Sequence, residues 1–329
     1  MNSQPLKVTI AIATFRRPAS LAVTLDSLSR VGARPVPAGI SSRNPPNGGY
    51  SRPGTPIQLW RIHDITIIDN DREPTAAGIV ADLAAGHPHP LRYVHEPRPG
   101  LTAVRNRALD EAAGDVLVFI DDDEIAVPPW PDGLIRVMAA SGAVMVGGPV
   151  RTRFAEPPEP WVTDGGFFDR AEPPDGSRQQ WLRSGNLAID LGAVRAAGLR
   201  FDPRFGTSGG EDTAFTRSAD HIGLDLRWSS DAVVVEEVGP DRTTLGWLCA
   251  RQRRTMASWV RVERDLHPGL GRVGWITARG VFRMGLGTVS AAVGASRSDL
   301  VARNRGLVTA ARGLGALEGL LTRPPRAYH

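Results

Sequence analysis

The chain has 329 residues, enough for one large core or two domains, with 41% hydrophobic and 22% charged residues, as in ordinary water-soluble proteins. Its one cysteine, Cys249, excludes an internal disulfide framework and a cysteine-based zinc site, and none of the seven histidines pairs at metal-ligand spacing on a plausible helix, so any metal must lean on oxygen ligands. The net charge of +4 hides an asymmetry: residues 1–240 carry 24 basic and 30 acidic side chains, whereas 241–329 carry 15 arginines against Asp241, Glu263, Asp265, Asp299 and Glu318, a net of +10.

The N-terminus has no basic stretch ahead of an apolar run, so no secretory signal is expected. "KVTIAIAT" (7–14) reads as a buried strand, and Pro18 opens an amphipathic helix with Leu21, Leu25 and Leu28 along one face. Residues 32–60 are dense in Gly, Pro, Ser and Asn and read as a mobile insertion loop. "DITIIDND" (64–71), "LRYVHE" (91–96), "DVLVFIDDD" (115–123) and "AVMVGGPV" (143–150) read as further strands, with helices over 75–85 and 102–113 between them. Such alternation predicts an α/β fold with a parallel or mixed sheet flanked by helices, whose ligands lie beyond the carboxyl ends of the strands.

Two strands end in acids: "IIDND" with Asp69 and Asp71, and "VLVFIDDDE" with Asp121 to Glu124. Carboxylates gathered at one sheet edge repel one another, and a divalent cation with oxygen ligands is their natural partner.

The strings "VTIAIATFRRPASLAVTLDSL", "ITIIDND", "PGLTAVRNRALDEAAGDVLVFIDDDE" and "GGEDTAFTRSADHIG" together resemble the family 2 glycosyltransferases over about residues 6–260, above all the subgroup typified by a succinoglycan glucosyltransferase. The resemblance implies the GT-A fold, a Rossmann-like nucleotide-diphospho-sugar transferase sheet, in residues 1–240; residues 241–329, on which the resemblance gives no help, read from their own pattern as a basic, mainly helical region. It further implies an inverting, metal-dependent transfer of a single hexose from a nucleotide sugar, a UDP-sugar by expectation, to a polysaccharide or lipid-linked glycan precursor.

The residue assignments follow by position in the family motifs. Asp121 and Asp123 match the Asp-x-Asp pair, Asp121 toward ribose and metal and Asp123 as ligand to Mn2+ or Mg2+. Asp122 and Glu124 are left as support or solvated surface. Thr14, Phe15 and Arg16 fall at the nucleoside turn, Asp69 at the base-reading position, and Arg105 and Asn106 in the helix beside the donor, where Arg105 either contacts diphosphate or braces the acidic loop. Asp212 matches the general base, with Glu211 orienting the acceptor, and Gly185, Asn186, Trp161 and Trp181 lie on the acceptor side. The family's late histidine is missing, and Glu236 and Glu237 stand there instead.

The alternatives are a sugar nucleotidyltransferase, disfavoured because "IAIATFRRPAS" has no glycine-rich triphosphate loop, and a catalytically silent membrane- or nucleic-acid-binding module of the same fold. No aromatic–basic recognition string accompanies the basic tail, so no nucleic acid is expected; an anionic membrane surface is. The longest uncharged stretch of the late apolar segment, residues 284–296, is 13 residues, too short to span a bilayer. The expected location is cytoplasmic, peripheral at the inner membrane face.

Overall fold

The computed structural model describes residues 5–32, 60–206 and 209–321. The expected insertion loop lies almost wholly outside these residues.

In chain order the first half comprises β1 (Leu6–Thr14), α1 (Pro18–Ser29), β2 (Trp60–Asp69), α2 (Ala77–Ala84), β3 (Leu91–His95), α3 (Leu101–Glu111), β4 (Val116–Asp121), β5 (Glu124–Ala126) and α4 (Asp132–Ser141). Then come β6 (Met145–Gly147), β7 (Val150–Phe154), α5 (Pro160–Asp164), β8 (Asn186–Asp190), α6 (Leu191–Ala196), α7 (Glu211–His221), β9 (Leu226–Trp228) and β10 (Val234–Val238). Three long helices close the chain: α8 (Leu245–Leu266), α9 (Leu270–Ser296) and α10 (Leu300–Leu321).

Seven strands form one mixed sheet in the order β3-β2-β1-β4-β8-β6-β9, and β5-β10-β7 form a smaller one. β3, β2, β1 and β4 run parallel, and β8 is antiparallel to β4. β1 is buried on both faces, which explains its unbroken apolar run. Ile10 and Ile12 pack with Leu21, Leu25 and Leu28 of α1 on one side, while Ala11 joins Val104 and Leu109 of α3 and Phe201 and Phe215 on the other.

The strand expected over 143–150 is two strands. Gly148 and Pro149 interrupt it, because proline lacks a ladder donor and a Cβ on Gly148 would lie 2.4 Å from the Ala232 carbonyl oxygen. The chain thereby leaves the main sheet as β6 and enters the smaller one as β7.

The C-terminal region is helical, as expected. α10 packs against both α8 and α9. The α9–α10 contact is made by backbones: a Cβ on Gly287 would sit 2.4 Å from the Ala310 nitrogen, and one on Gly306 equally close to that of Ala291. Among the described residues no helix is long and apolar enough to cross a membrane.

Candidate active site

The parallel register fixes the address of the acids. Thr14 pairs with Asp69 across β1–β2, and Ala13 pairs with Asp121 across β1–β4, so both acidic strand ends reach the carboxyl edge on either side of β1. They are not neighbours, and their side chains have different fates.

Asp69 is fully buried. One oxygen accepts from the Asp71 amide at 3.1 Å; the other accepts from the Ala76 amide at 2.8 Å and the Tyr93 hydroxyl at 3.0 Å. With these three donors it organises the turn into α2. Asp71 is held by Arg16, whose Nε and Nη2 donate at 2.7 and 3.0 Å, and this pairing lowers the Asp71 carboxyl below its ordinary range. Arg16 adopts a left-handed φ of 54° and covers the exposed Phe15 ring at 5.1 Å.

The Asp121–Glu124 turn divides its acids between support and cleft. Asp122 is buried, and its carboxylate accepts from Thr14 Oγ1 at 2.8 Å and Arg17 Nη1 at 3.2 Å. Thr14, expected to face a nucleoside, therefore spends its hydroxyl on bracing this turn. Thr24 of α1 donates to the backbone carbonyls of Asp122 and Glu124 at 3.0 and 2.8 Å. The Glu124 carboxylate is buried beneath the turn, accepting from the Asp121 amide at 3.0 Å, so the solvated-surface reading of Glu124 is wrong.

Asp121 points into the cleft with its side chain 44% exposed. Loss of solvent raises its carboxyl to about 6; Arg105 opposes this, and Asp123, Asp122 and Glu236 add to it. Burial, then Asp121, holds the Glu124 carboxyl well above the usual range. Asp123 accepts from Arg17 Nη1 at 2.8 Å and lies 3.4 Å from both terminal nitrogens of Arg242. Glu236, opposite Glu124 in the β5–β10 ladder, completes the group and is held by Arg170 and Arg242. Glu237 points away to Arg153.

Gly185 gives these acids room: a Cβ there would stand 2.6 Å from Glu124 Oε1 and 3.0 Å from Asp121 Oδ2. Asn186, one residue on, is not available to an acceptor. It is buried with its amide donating to the Pro149 and Ala232 carbonyls at 3.1 and 2.6 Å and its oxygen accepting from Trp130 Nε1 at 2.9 Å. Asn106 likewise faces away from the cleft, closing a two-bond bracket on the Phe201 backbone at 2.8 and 2.9 Å.

Arg105 is the brace. It is buried, donates through Nη1 to Glu211, and holds Nη2 3.9 Å from Asp121 Oδ1. Gly210, at φ 93°, turns the chain so that α7 begins on Glu211 and Asp212. Glu211 is buried with Oε2 lacking a partner among the described residues, and burial raises its carboxyl despite Arg105. Asp212 is only part-buried, and its Oδ1 accepts from the Thr213 amide at 2.6 Å. Trp181 meets Trp259 of α8 edge-on at 5.7 Å, while Trp161 packs on Phe167 and borders a separate cavity of about 510 Å³ with Leu245 and Arg303.

Sequence reasoning thus named Asp121, Arg105, Gly185 and Glu211, which the structure brings together, and Asp123 and Asp212 close to them in the chain. It missed Arg17, Arg170 and Arg242, the cations that offset the acids. Arg17 was legible as the second arginine after β1; Arg170 and Arg242 lie in segments with no motif.

The glycosyl transferase family 2 pattern matches residues 57–197. The chain is 30% identical over 324 residues to the succinoglycan biosynthesis protein ExoM of Rhizobium meliloti (strain 1021), covering 98% of this chain and 95% of that protein. It is 20% identical over 200 residues to the glycosyltransferase AglE of Haloferax volcanii, covering 61% and 64% of the two chains. Among solved structures, it is similar to the mannosyltransferase PcManGT of Pyrobaculum calidifontis in complex with GDP-Man and Mn2+, with TM-score 0.54, 18% identity and coverage of 94% and 87%. GalNAc-T7 with UDP, GalNAc and Mn2+ gives TM-score 0.55 at 15% identity, covering 80% of this chain and 48% of that one. The structural likenesses establish the GT-A fold, and the near full-length identity establishes the family: the chain is a glycosyltransferase belonging to glycosyl transferase family 2.

Proposed function

We propose that the enzyme is an inverting glycosyltransferase that moves one hexose from a nucleotide sugar, a UDP-sugar, to a polysaccharide or lipid-linked glycan precursor with the help of a divalent cation. The observation that carries this reading is the Arg105 bridge, which sets Asp121 and the start of α7 on opposite sides of one cleft.

The residues fit a divalent cation. Asp121 and Asp123 offer hard oxygen ligands, and the missing side chain at Gly185 leaves space beside Asp121 Oδ2. No three His, Cys, Asp or Glu residues converge on one metal position among the described residues, so water and the donor's phosphates would complete the coordination of Mn2+ or Mg2+. Bound there, the ion would supply Lewis-acid stabilisation to the departing diphosphate. Arg17 and Arg242, both on Asp123, place further positive charge where that diphosphate departs.

In the transfer, the acceptor hydroxyl gives its proton to Asp212, its oxygen bonds to the anomeric carbon, and the carbon–oxygen bond to the nucleoside diphosphate breaks with its electron pair. Attack opposite the leaving group inverts the anomeric centre. Glu211 keeps Arg105 in place and thereby acts on Asp121 as a positioning residue. The +10 charge of residues 241–329 docks the enzyme on an anionic membrane face, near a lipid-linked acceptor. The glycan reading is supported by the relative in succinoglycan biosynthesis. A donor screen tests it: thermal shift and turnover with UDP-, GDP- and dTDP-sugars, each with and without Mn2+. Shift and hydrolysis with a UDP-sugar only in the presence of Mn2+ is expected; equal response without metal overturns the metal-assisted reading.

A further inference from the structure

An unassigned cavity of about 410 Å³ outside the catalytic cleft, between α8 and α9, combines apolar and cationic walls. Its apolar part is built by Met256, Val260 and Ile276, with Trp259 and Trp275 on its walls. Arg272, Arg279 and Arg283 line it from α9. Arg272 is satisfied by Glu263, but Arg279 and Arg283 have no carboxylate partner among the described residues. Arg279 lies 5.0 Å over the Trp275 ring, and the one hydrogen bond of the Arg283 guanidinium among the described residues goes to the Met256 sulfur, at 3.9 Å. Burial and then Arg279 and Arg312 lower the Arg283 guanidinium from its ordinary range. An anion among these cations would relieve their mutual repulsion.

The cavity adjoins an apolar helix face. Trp275, Phe282, Leu286, Val289 and Val293 are all exposed on α9, at the 7, 4, 3, 4 spacing that keeps one side of a helix. At about 100° per residue, Arg279 and Arg283 fall about 40–80° from the centre of that stripe, on the flank that leads to buried Ile276. Apolar stripe, tryptophan and arginine flank follow in the order of a helix lying in a bilayer interface. The same helix is not long and apolar enough to span. Gln180 lines the cavity and Gly185 touches the carboxylate cluster, five positions apart and so separated by at most about 18 Å.

We propose that this cavity seats the phosphate head of an anionic bilayer lipid, with the exposed stripe of α9 lying in the same leaflet. The inference names a specific site within the membrane-docking part of the proposed function and rests on that part, not on the sugar chemistry. It orients the enzyme: lipid phosphate at α9, carboxylate cleft within about one short loop of the membrane surface.

Two binding measurements on the full chain separate the lipid seat from docking in general. Calorimetry with dihexanoyl phosphatidylglycerol below its micelle concentration tests the cavity. The parent should bind it, the Arg279→Glu/Arg283→Glu variant should bind at least tenfold more weakly, and inorganic phosphate and dihexanoyl phosphatidylcholine should each bind at least tenfold more weakly than the glycerol lipid. Unchanged affinity in the variant, no binding by the parent, or phosphate binding as tightly as the lipid each overturns the proposal. Trp275→Ser, at a half-exposed ring, gives a second variant with the same expected direction should the double charge reversal not fold. Co-sedimentation with phosphatidylglycerol vesicles tests docking. A parent that binds the short-chain lipid but stays in the supernatant loses the docking reading and, with it, the placement of the seat in a bilayer; one that pellets unchanged as the double variant keeps docking and loses the seat. Metal-dependent donor hydrolysis should be the same in parent and variant, because none of these side chains reaches the carboxylate cluster.

Discussion

Arg105 ties the two halves of the cleft together: its Nη1 donates to Glu211 at the start of α7, and its Nη2 lies 3.9 Å from Oδ1 of Asp121 at the end of β4. Both Arg105 and Glu211 are buried, so removing one partner strands a charge in a poorly solvated place. Arg105→Met should destabilise the fold by about 3–5 kcal/mol, the usual cost of breaking such a pair from one side. Arg105→Met combined with Glu211→Met should recover most of that stability but not activity. Urea denaturation of the parent, Arg105→Met, Glu211→Met and the double variant decides it; additive losses in the double variant would mean that the pair does not act as a unit.

Asp212→Asn and Glu211→Gln separate the two adjacent acids. Asp212 is part-buried, and among the described residues its Oδ1 is engaged only with Thr213, so Asp212→Asn should fold normally, bind donor within a few-fold of the parent, and lose about 10²–10⁴ in turnover as a positioned base would. Glu211→Gln should lower stability first, because it withdraws the charge that Arg105 faces. A full-rate Asp212→Asn enzyme removes Asp212 from the role of base.

Asp123→Ala should leave the fold intact and abolish the effect of Mn2+ on donor binding. Its loss frees Arg17 and Arg242 from one carboxylate, yet Arg17 retains Asp122 and Arg242 retains Glu236. The protein therefore keeps those paired charges, and the deficit falls on the metal. Calorimetry of UDP-sugar binding with and without Mn2+ measures it; a metal effect as large as the parent's would place the ion elsewhere.

How much of this was legible beforehand depended on whether a residue's job was local. The strand–helix alternation predicted β1 to β4 closely, because a buried parallel strand must be continuously apolar and its helix must show a face. The positions of Asp121, Asp123 and Asp212 followed from motifs at strand and helix ends. The direction of a polar side chain was not legible where the deciding partner lay far along the chain. Asn186 looks like an acceptor contact beside Gly185 until Trp130, Pro149 and Ala232 surround it. Asn106 follows Arg105, yet successive residues on a helix face about 100° apart, and only the one turned toward α7 serves the cleft. The break at Gly148 and Pro149 is only half local: the proline is a strand breaker visible in the sequence, whereas the close approach of Ala232 to Gly148 is announced by no local pattern.

That difference makes Asn186→Leu a test of fold against site. Every polar atom of the Asn186 amide is used inside the protein, so leucine would take this partner from the Trp130 Nε1 donor and the Ala232 carbonyl, while the Pro149 carbonyl keeps the Val234 amide at 3.0 Å. Each unsatisfied buried group costs about 1–3 kcal/mol, so a large loss of stability with little change in acceptor KM is expected for the surviving folded fraction. Chemical denaturation alongside acceptor kinetics reads both; a raised KM at full stability would return Asn186 to the acceptor.

Gly185→Ala reports on the cleft itself. The added Cβ would meet Glu124 Oε1 at 2.6 Å and Asp121 Oδ2 at 3.0 Å, closer than carbon and oxygen tolerate. The atoms in the way are carboxylate tips, not backbone, so the side chains can swing aside at small cost to folding. They cannot do so without moving Asp121, the acid that faces the cleft and shares Arg105 with Glu211. A displacement of about 1 Å at a catalytic group costs on the order of 10²-fold in rate. The expected result is a variant with nearly the parent's melting temperature, weakened Mn2+-dependent donor binding and turnover reduced about 10²-fold. Parent-level turnover and metal response in a normally folded Gly185→Ala protein would mean that the space beside Asp121 is not where the donor's phosphates and the ion meet the protein.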